Sequence, residues 1–335
     1  MAGMRALVIE AGAARLREDA PEPEPAPGEV RVEVLCAGVC ATDLALARGY
    51  MGFAGVPGHE FVGRALEGPL AGRRVVGEIN AGCGRCAECA SGDGRHCPRR
   101  TVLGILGRPG AFAERLALPE RNLLPVPEGL SDEQAVFAEP LAAALRVTEQ
   151  VDCRGGRRVL VAGDGRLGLL CAHALALAGA AVTVAGRHTE RRGLLPPGAL
   201  HRTGLLEADA PPGPADERWP VAVEATGDPA VLPRLLQRVE PRGAVVVKTT
   251  SELPVPLDLA RLVVAEQSLL GSRCGRLGPA LELLAAGKVP VERWVEARYP
   301  LERAADALQH AARPGTLKIL IEATRSRSGE SCRCP

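Results

Sequence analysis

The sequence predicts an α/β protein of two domains, in which a domain of short β-strands is joined to a doubly wound domain with a parallel sheet. The chain has 335 residues, more than a single hydrophobic core usually organises. Residues 1–150 contain short β-type segments that are interrupted by glycine and proline. After residue 157, apolar runs alternate with helical segments, and this alternation is typical of strands that lie parallel in one sheet.

The first half of the chain is predicted to be mainly β-structure. Residues 5–10 and 30–37 have the composition of strands, and the proline- and glutamate-rich run 21–27 between them is interpreted as a loop. The other elements predicted in this half are strands at 75–79 and 112–118 and a helix at 140–150.

The second half is predicted to alternate strictly between strand and helix. Residues 158–162 form a buried apolar run, 167–178 are predicted to be helical, and 181–185 form a second strand. Later strands are predicted at 221–224, 244–247 and 317–322. The arginine- and serine-rich tail 324–335, which contains two cysteines, is expected to be disordered.

The composition excludes several classes of protein. The formal net charge is +1, so there is no general electrostatic attraction to nucleic acid or to an anionic membrane. The first ten residues lack the apolar stretch of a signal peptide, and no run of about 18 apolar residues is uninterrupted. We therefore expect a cytoplasmic protein without nucleic-acid or membrane partners, whose 11 cysteines serve metal or thiol chemistry before disulfides.

Four closely spaced cysteines are the strongest chemical signal in the sequence. They are Cys83, Cys86, Cys89 and Cys97. This spacing lets one loop wrap four thiolates around a tetrahedral ion. A closed set of four sulfurs leaves no position for a substrate, so the predicted role is structural. Zinc is the expected metal, although iron also suits four thiolates.

A second group of possible metal ligands is scattered along the chain. It consists of Cys40, the neighbours His59 and Glu60, and Glu139. Each residue alone is more easily explained as an ordinary structural residue. Together they offer thiolate, imidazole and carboxylate, the mixture from which catalytic zinc sites with an open position are built.

These motifs also carry a resemblance to a known family. Cys-Ala-Thr-Asp at 40–43, Gly-His-Glu-Phe-Val-Gly at 58–63, the four-cysteine segment and Glu-Pro-Leu-Ala at 139–142 follow one another in order. In this order and rough spacing the chain resembles the zinc-containing medium-chain dehydrogenase/reductase (alcohol dehydrogenase) family. The Glu-Pro-Leu version is similar to its polyol, threonine and glucose dehydrogenase branch, and the similarity covers nearly the whole chain.

The resemblance implies a catalytic zinc ion held by this chain's own side chains. Cys40 and His59 would bind the ion. Either Glu60 or Glu139 would complete the ligand set, in alternation or through a water molecule. Zinc lowers the pKa of a bound alcohol, which prepares the alcohol for hydride transfer to a nicotinamide.

Other residues take supporting roles by the same resemblance. Thr42 would accept the proton of the alcohol, and Asp43, helped by Lys318, would orient His59. The chain departs from the family in two places. Ala45 stands where many relatives have a proton-relay histidine, and the segment 64–74 is shorter than usual.

A glycine-rich loop predicts a dinucleotide site. Its residues are Gly163, Asp164, Gly165, Arg166, Leu167 and Gly168, and they lie between a predicted strand and a predicted helix. Glycines in this setting allow a tight turn and close approach of the backbone to a pyrophosphate, whose charge the helix N-terminus favours. We expect the Asp164 side chain to point away from the phosphates.

The segment after the second strand indicates which cofactor binds. An NAD site usually has an acid about 20 residues beyond the glycine loop. Here no acid occurs between Gly168 and Glu190, and the strand is followed by Arg187 and His188, with Arg191 and Arg192 nearby. The missing carboxylate and the added guanidinium favour NADP(H) over NAD(H), because a 2′-phosphate needs a positive partner.

Together these features predict a zinc-dependent, NAD(P)-linked dehydrogenase that interconverts a secondary alcohol or polyol and its carbonyl. A GroES-like catalytic domain, residues 1–148, would be completed by 288–323, and a Rossmann domain would span 149–287, with the active site in the cleft between them. The substrate would be a small alcohol or carbonyl compound, and the assembly a homodimer or homotetramer. Two alternatives stay open: a zinc-free enone or quinone reductase, and a non-catalytic binding protein of the same fold.

Overall fold

The computed structural model describes residues 3–207, 217–251 and 253–323. Its described residues divide into two compact units. The first unit is formed from the segments Met1–Glu139, Leu284–Ala286 and Pro290–Pro335, and the second from Pro140–Leu283 and Gly287–Val289. The domain boundary predicted at residue 148 falls, like this division, inside one helix, Ala138–Gln150. The tail 324–335, with Cys332 and Cys334, lies outside the described residues.

The elements are numbered here in chain order. The strands are β1 Gly3–Glu10, β2 Ala13–Pro21, β3 Glu29–Gly38, β4 Glu60–Ala65, β5 Arg74–Gly77, β6 Asn80–Ala81, β7 Thr101–Val102, β8 Arg115–Pro119, β9 Leu123–Pro125, β10 Arg158–Ala162, β11 Ala181–Ala185, β12 Leu200–Arg202, β13 Trp219–Glu224, β14 Val239–Val247, β15 Ser268–Gly271, β16 Val295–Pro300 and β17 Lys318–Glu322. The helices are α1 Ala41–Ala47, α2 Ala87–Ala90, α3 Asp132–Ala135, α4 Ala138–Gln150, α5 Arg166–Leu177, α6 Leu232–Gln237, α7 Leu259–Val264, α8 Leu277–Ala285 and α9 Ala304–Ala311.

The first unit is built on a mixed sheet. In the described part of the chain its strands are ordered β16-β17-β3-β4-β5-β9, and β8 also pairs with β3. Strand β3 alternates buried and half-buried residues along most of its length, the pattern of a strand with one face on the core. The antiparallel pairing of β3 with β4 sets Gly38 opposite Glu60, and β17 sets Leu320 opposite Gly38. One edge of this sheet therefore gathers the end of β3 and the starts of β4 and β17.

The second unit is a doubly wound parallel sheet. Its strand order among the described residues is β12-β11-β10-β13-β14-β15, which places the first strand of the unit, β10, in the middle. After the exposed Arg158, strand β10 is apolar and buried from Val159 to Ala162, as expected of a central parallel strand. The register aligns the carboxyl ends of the strands, because Ala162 lies opposite both Ala185 and Glu224. The order of strands reverses between β10 and β13, where such sheets bind their ligands.

The predicted fold class is confirmed. Strands β10 and β11 have the bounds predicted for them, and helix α5 is shifted by one residue. Strand β2 was not predicted, because the sequence Ala-Ala-Arg-Leu-Arg-Glu-Asp-Ala-Pro lacks the β-branched and aromatic residues typical of strands. Among the strands of the described residues it pairs with β1 alone, in a two-stranded antiparallel sheet. Within the described ranges, no helix combines the length and the apolar character needed to cross a membrane.

Candidate active site

Three possible metal ligands meet at the edge of the mixed sheet. Cys40 follows the end of β3, His59 precedes β4, and Glu60 is the first residue of β4. Because β3 and β4 are antiparallel neighbours, the end of one lies beside the start of the other. The register of the sheet thus brings together two motifs that are separated along the chain.

Asp43 ties the two motifs to each other. Its carboxylate is fully buried and accepts the backbone N–H of Cys40 at 2.8 Å and that of Gly58 at 3.1 Å. The same carboxylate lies 3.3 Å from Nδ1 of His59. Gly58 has φ +98°, and a Cβ there would lie 2.6 Å from the ring of Phe112, so this turn requires glycine. Asp43 therefore fixes both backbone segments on which the ligands stand.

The geometry and the charge of this group suit a cation. The ligand atoms of Cys40, His59 and Glu60 all lie within 4.8 Å of one another. Burial by itself would lower the pKa of His59, but the negative charges of Asp43 and Cys40 raise that pKa well above its usual value. The surroundings of the His59 ring thus favour a positive charge, as the surroundings of a divalent metal ion should. A thiolate, an imidazole and a carboxylate are also the donors that catalytic zinc accepts.

Glu60 has a second partner in Lys318, the first residue of β17. The Lys318 ammonium donates to the Glu60 carboxylate, and both side chains are only 2% exposed. Lys318 also lies over the ring of Phe137, 5.1 Å from its centroid. A Cβ on Gly38 would lie 2.5 Å from the Glu60 carboxylate, so the end of β3 must be glycine to leave room. The ammonium of Lys318 contacts Glu60, the neighbour of His59, and its expected part in orienting His59 stays a prediction.

The remaining residues predicted for this site lie at different places. The Thr42 hydroxyl is 3.9 Å from the Cys40 sulfur and half-buried, in the first turn of α1. Ala45 lies one turn further along the same helix. Glu139 lies in the first turn of α4 and is not part of the group whose ligand atoms lie within 4.8 Å of one another. Its role as a ligand stays a prediction.

The four cysteines of the loop between β6 and β7 also lie together. The sulfur atoms of Cys83, Cys86, Cys89 and Cys97 are all within 4.8 Å of one another. Four sulfurs bound to zinc at about 2.3 Å would be separated by about 3.8 Å in a tetrahedron. The described cysteine sulfurs can therefore enclose one ion with little movement.

Nearby donors stabilise the thiolate form of two cysteines of this group, Cys83 and Cys97. The backbone N–H of Cys83 and that of Arg99 each donate to the Cys97 sulfur at 3.4 Å, and the Arg99 guanidinium donates to the Cys83 sulfur at 3.2 Å. The backbone N–H of Arg85 and the Arg99 guanidinium lower the pKa of Cys83 to about 5. Thiolate is the form that binds metal, so these contacts favour a metal centre.

The glycine-rich loop has the geometry of a phosphate-binding turn. It joins the end of β10 to the start of α5. Gly163 has φ +106°, and a Cβ there would lie 2.7 Å from the carbonyl oxygen of Ala225. A Cβ on Gly168 would overlap the carbonyl of Gly163. A Cβ on Gly165, the residue before α5, would meet nothing within 4 Å, so the backbone there is open to a ligand.

The side chain of Asp164 is directed to the end of β11. Its carboxylate accepts the backbone N–H of His188 at 2.7 Å and lies 2.8 Å from Nδ1 of the same residue. Arg191 is buried and donates to the carbonyl of Asp164 at 2.7 Å. Arg187 and Arg192 are exposed. The sequence suggested several arginines as partners of a 2′-phosphate. One of them, Arg191, instead donates to the backbone of the glycine-rich loop.

Some structural partners of the site were not predicted from the sequence. Gly38 makes room for Glu60, and Gly186 makes room for Asp164. Glu224, at the end of β13, accepts the backbone N–H of Thr226 at 2.8 Å and its hydroxyl at 2.6 Å, which fixes the turn beside Gly163. The sequence does show a glycine at the end of β3 and another directly after β11. Which neighbouring side chain occupies the space beside each glycine can be known only from the folded structure.

Comparison with known proteins finds related dehydrogenases over most of the chain. A family model for the alcohol dehydrogenase GroES-like domain matches residues 26–128. The L-threonine 3-dehydrogenase of Streptomyces avermitilis is 31% identical over 347 residues, covering 96% of this chain and 100% of that protein. A zinc-binding dehydrogenase of Sinorhizobium meliloti 1021, solved with NADP, matches with a TM-score of 0.84 and 27% identity over 96% of this chain and 100% of its own. A short chain alcohol dehydrogenase of Escherichia coli CFT073, solved with NADH, matches with a TM-score of 0.85 and 26% identity over 96% and 99%.

A glycine loop on a parallel sheet and a thiolate–imidazole–carboxylate group define a class of protein, the metal-containing dehydrogenases that use a nicotinamide cofactor. The chain belongs to the zinc-containing medium-chain dehydrogenase/reductase family. It is an oxidoreductase that acts on CH–OH groups with zinc and a nicotinamide cofactor.

Proposed function

We propose that this protein oxidises a secondary alcohol or polyol to the corresponding carbonyl compound, and reverses that reaction, at a zinc ion bound by Cys40, His59 and Glu60. The observation that carries the proposal is the approach of these three ligand atoms to within 4.8 Å of one another. The relative from S. avermitilis is named for oxidation at carbon 3 of L-threonine, which bears a secondary hydroxyl. That name supports the class of reaction and leaves the substrate of this chain open.

Bound zinc would act as a Lewis acid that lowers the pKa of the alcohol, and the nicotinamide would accept the hydride. The chain's own residues position the reactants and move the proton. Thr42 has its hydroxyl close to the Cys40 sulfur, so it can accept the proton of a hydroxyl held at the metal. Because residue 45 is alanine, the proton then passes to water or to a cofactor hydroxyl.

The carboxylate ligand is proposed to be Glu60, with Glu139 as the alternative. Glu60 belongs to the compact group of ligand atoms, whereas Glu139 does not. Lys318 competes with the metal for Glu60, since its ammonium donates to the same carboxylate. We infer that Glu60 exchanges between the lysine and the ion, and that Glu139 reaches the ion directly or through water when Glu60 is withdrawn.

The cofactor is proposed to be NADP(H). Arg187 is exposed at the end of β11, and the described residues offer it no ion pair, so its guanidinium is available to a 2′-phosphate. Within the glycine-loop set, Gly163 and Gly168 allow the tight turn and its close packing, and the backbone of Gly165 would approach the pyrophosphate. Arg166 and Leu167 open the helix whose N-terminus would face the phosphates. We further propose a structural zinc ion on the four cysteines.

The assembly is proposed to be a homodimer or homotetramer. Helix α7 exposes Leu259, Val263 and Val264, which are 65%, 71% and 85% exposed. It precedes β15, the outermost strand of the parallel sheet in the described part of the chain. Exposed apolar side chains and an outermost strand are both typical places for a second copy to bind. A monomer in light scattering would contradict this proposed assembly.

We also propose a cytoplasmic location, because thiol ligands persist in a reducing compartment.

The proposal is tested by metal analysis together with an activity screen. We expect about two zinc ions per chain, one in each ligand group. The zinc-loaded protein is then assayed with NAD and NADP side by side against a panel of secondary alcohols, polyols and ketones. One zinc ion or none, with reduction of enones instead, would favour a zinc-free reductase. No transfer of tritium from labelled NADPH to any carbonyl compound would favour a binding protein.

A further inference from the structure

The end of β11 lacks the acid that usually contacts the cofactor ribose. In dinucleotide-binding sheets this acid follows the second strand, about 20 residues beyond the glycine loop. Here the residue directly after β11 is Gly186. A Cβ built on Gly186 would overlap the carboxylate of Asp164 and would lie 2.5 Å from the Cβ of Asp164. A carboxylate from the glycine loop therefore fills the space that a side chain at the strand end would enter.

Asp164 is held firmly in that space. Its side chain is 6% exposed and faces His188, His201 and Arg191. Since an ionised carboxylate only accepts hydrogen bonds, the ring and backbone N–H groups of His188 donate to it, and Nε2 of the fully buried His201 lies 3.2 Å away. Burial by itself would raise the pKa of Asp164, but the hydrogen bonds from His188 and His201 outweigh burial and lower it. The negative charge is thus present and well compensated.

This arrangement has two effects on the neighbouring turn. The bond to the backbone N–H of His188 fixes the segment that carries the exposed Arg187. The charge of Asp164 is surrounded by donors, with Arg191 at 3.7 Å from its carboxylate, so it repels a nearby phosphate less than a free acid at the strand end would.

We propose that Asp164 determines cofactor specificity: it keeps an acid away from the strand end by filling the space beside Gly186, and it holds the turn from which Arg187 meets a 2′-phosphate. The inference rests on the proposed NADP(H) site and adds a residue of the glycine loop to its specificity. Its central consequence is that residues 164 and 186 are coupled, because their side chains compete for one space.

The choice of variants can distinguish the coupling between residues 164 and 186 from a general loss of stability. Asp164→Gly removes both the carboxylate and the Cβ, so it clears the space for a side chain at 186. Asp164→Ala removes the carboxylate but keeps the Cβ, which lies 2.5 Å from the position of a new Cβ at 186. Gly186→Asp is therefore expected to be accommodated with Asp164→Gly and to be rejected with Asp164→Ala or with the native residue.

Binding is measured with two probes that lack nicotinamide, ADP-ribose and 2′-phospho-ADP-ribose, by calorimetric titration of the zinc-loaded full chain. The native protein is expected to prefer the 2′-phosphorylated probe at least tenfold. The Asp164→Gly/Gly186→Asp variant is expected to reverse this preference, whereas Gly186→Asp alone weakens both probes more than tenfold. Asp152→Asn, an exposed acid of the same unit, is the matched control and should leave the ratio unchanged.

Thermal unfolding tests the same coupling without a ligand. Gly186→Ala should lower the melting temperature by about 5 °C or more in the native and Asp164→Ala backgrounds, and by much less with Asp164→Gly. Equal effects in all three backgrounds would overturn the inference. So would a reversal of probe preference by Gly186→Asp alone, or a native protein that prefers ADP-ribose. A native protein that binds neither probe would instead refute the proposed cofactor site, while the melting series still decides the coupling.

Discussion

Removal of the Lys318 ammonium should reveal how the buried carboxylate of Glu60 is balanced. Lys318→Met keeps most of the side-chain volume and leaves Glu60 charged in a site where both side chains were only 2% exposed. Removing one partner of a buried ion pair costs about 3–5 kcal/mol of folding free energy, because the other charge is left uncompensated. The lost contact with the Phe137 ring adds about 0.5–2 kcal/mol. We therefore expect the metal-free variant to lose at least about 3 kcal/mol.

Zinc should reduce this loss if Glu60 is a ligand. The ion would then compensate the carboxylate in place of the lysine, so the loss in the zinc-loaded variant should be smaller by at least about 1.4 kcal/mol, a tenfold change in the unfolding equilibrium. The double variant Lys318→Met/Glu60→Leu, which removes both charges, should recover to within about 1–2 kcal/mol of the native metal-free protein. Arg74→Met, which breaks the more exposed pair with Asp132, is the control and should cost under about 1 kcal/mol.

Urea unfolding with and without chelator measures these free energies. Trp294 is fully buried and packs edge-on against Phe137, with ring centroids 6.0 Å apart, so its fluorescence reports on the first unit. The other tryptophan, Trp219, belongs to the second unit and is replaced by Phe in all the proteins compared. A loss below about 1 kcal/mol in metal-free Lys318→Met would refute the reasoning, because Glu60 would then need no cation.

Four further predictions concern the cofactor site and the two metal sites. Arg187→Ala should raise KM for NADP at least tenfold and leave KM for NAD nearly unchanged, with the exposed Arg154→Ala as control; equal effects on both cofactors would exclude contact with a 2′-phosphate. Asp43→Asn should lower catalytic zinc affinity about 10–100-fold, measured by competition with a chelating dye, and unchanged affinity would deny Asp43 its positioning role. The backbone N–H of Cys89 lowers the pKa of Cys86, but desolvation and the neighbouring thiols outweigh this effect and raise that pKa to about 11. Zinc uptake by the metal-free four-cysteine loop at pH 7 should therefore release protons. Calorimetry should detect this release as a binding heat that depends on the buffer. Because protons compete with the metal for the thiolates, the zinc affinity of the four-cysteine loop should fall as the pH is lowered, and an affinity that does not change with pH would contradict the assignment.

The sequence predicted the parallel sheet better than the mixed sheet, for a physical reason. Strands buried on both faces, such as β10 and β11, are nearly continuous apolar runs, which are easily recognised in a sequence. Strand β2 is mostly exposed and pairs with a single neighbour, so its residues carry little hydrophobic signal. Its position is set by the pairing with β1, which is a property of the folded chain.

Some features of the candidate site could likewise be predicted from the sequence and others could not. Short spacing made the four cysteines recognisable, and the order of motifs made Cys40 and His59 recognisable through a family resemblance. The partner of Lys318 could not be predicted, because the register of β17 against β3 decides which side chain its ammonium reaches. The direction of the Asp164 side chain was expected only as pointing away from the phosphates. Its contacts with His188 and His201 depend on strand positions that the sequence does not specify.

The buried pair between Glu60 and Lys318 joins residues 258 positions apart, and the whole second unit is encoded between them. A ribosome therefore makes the carboxylate long before it makes the ammonium. During synthesis the early strands β3 and β4 can pair, while Glu60 still has water, a proton or a captured ion as its only compensation. Final closure of this unit must therefore await the synthesis of β17, whereas the second unit is built almost entirely from one stretch of the chain, Pro140–Leu283.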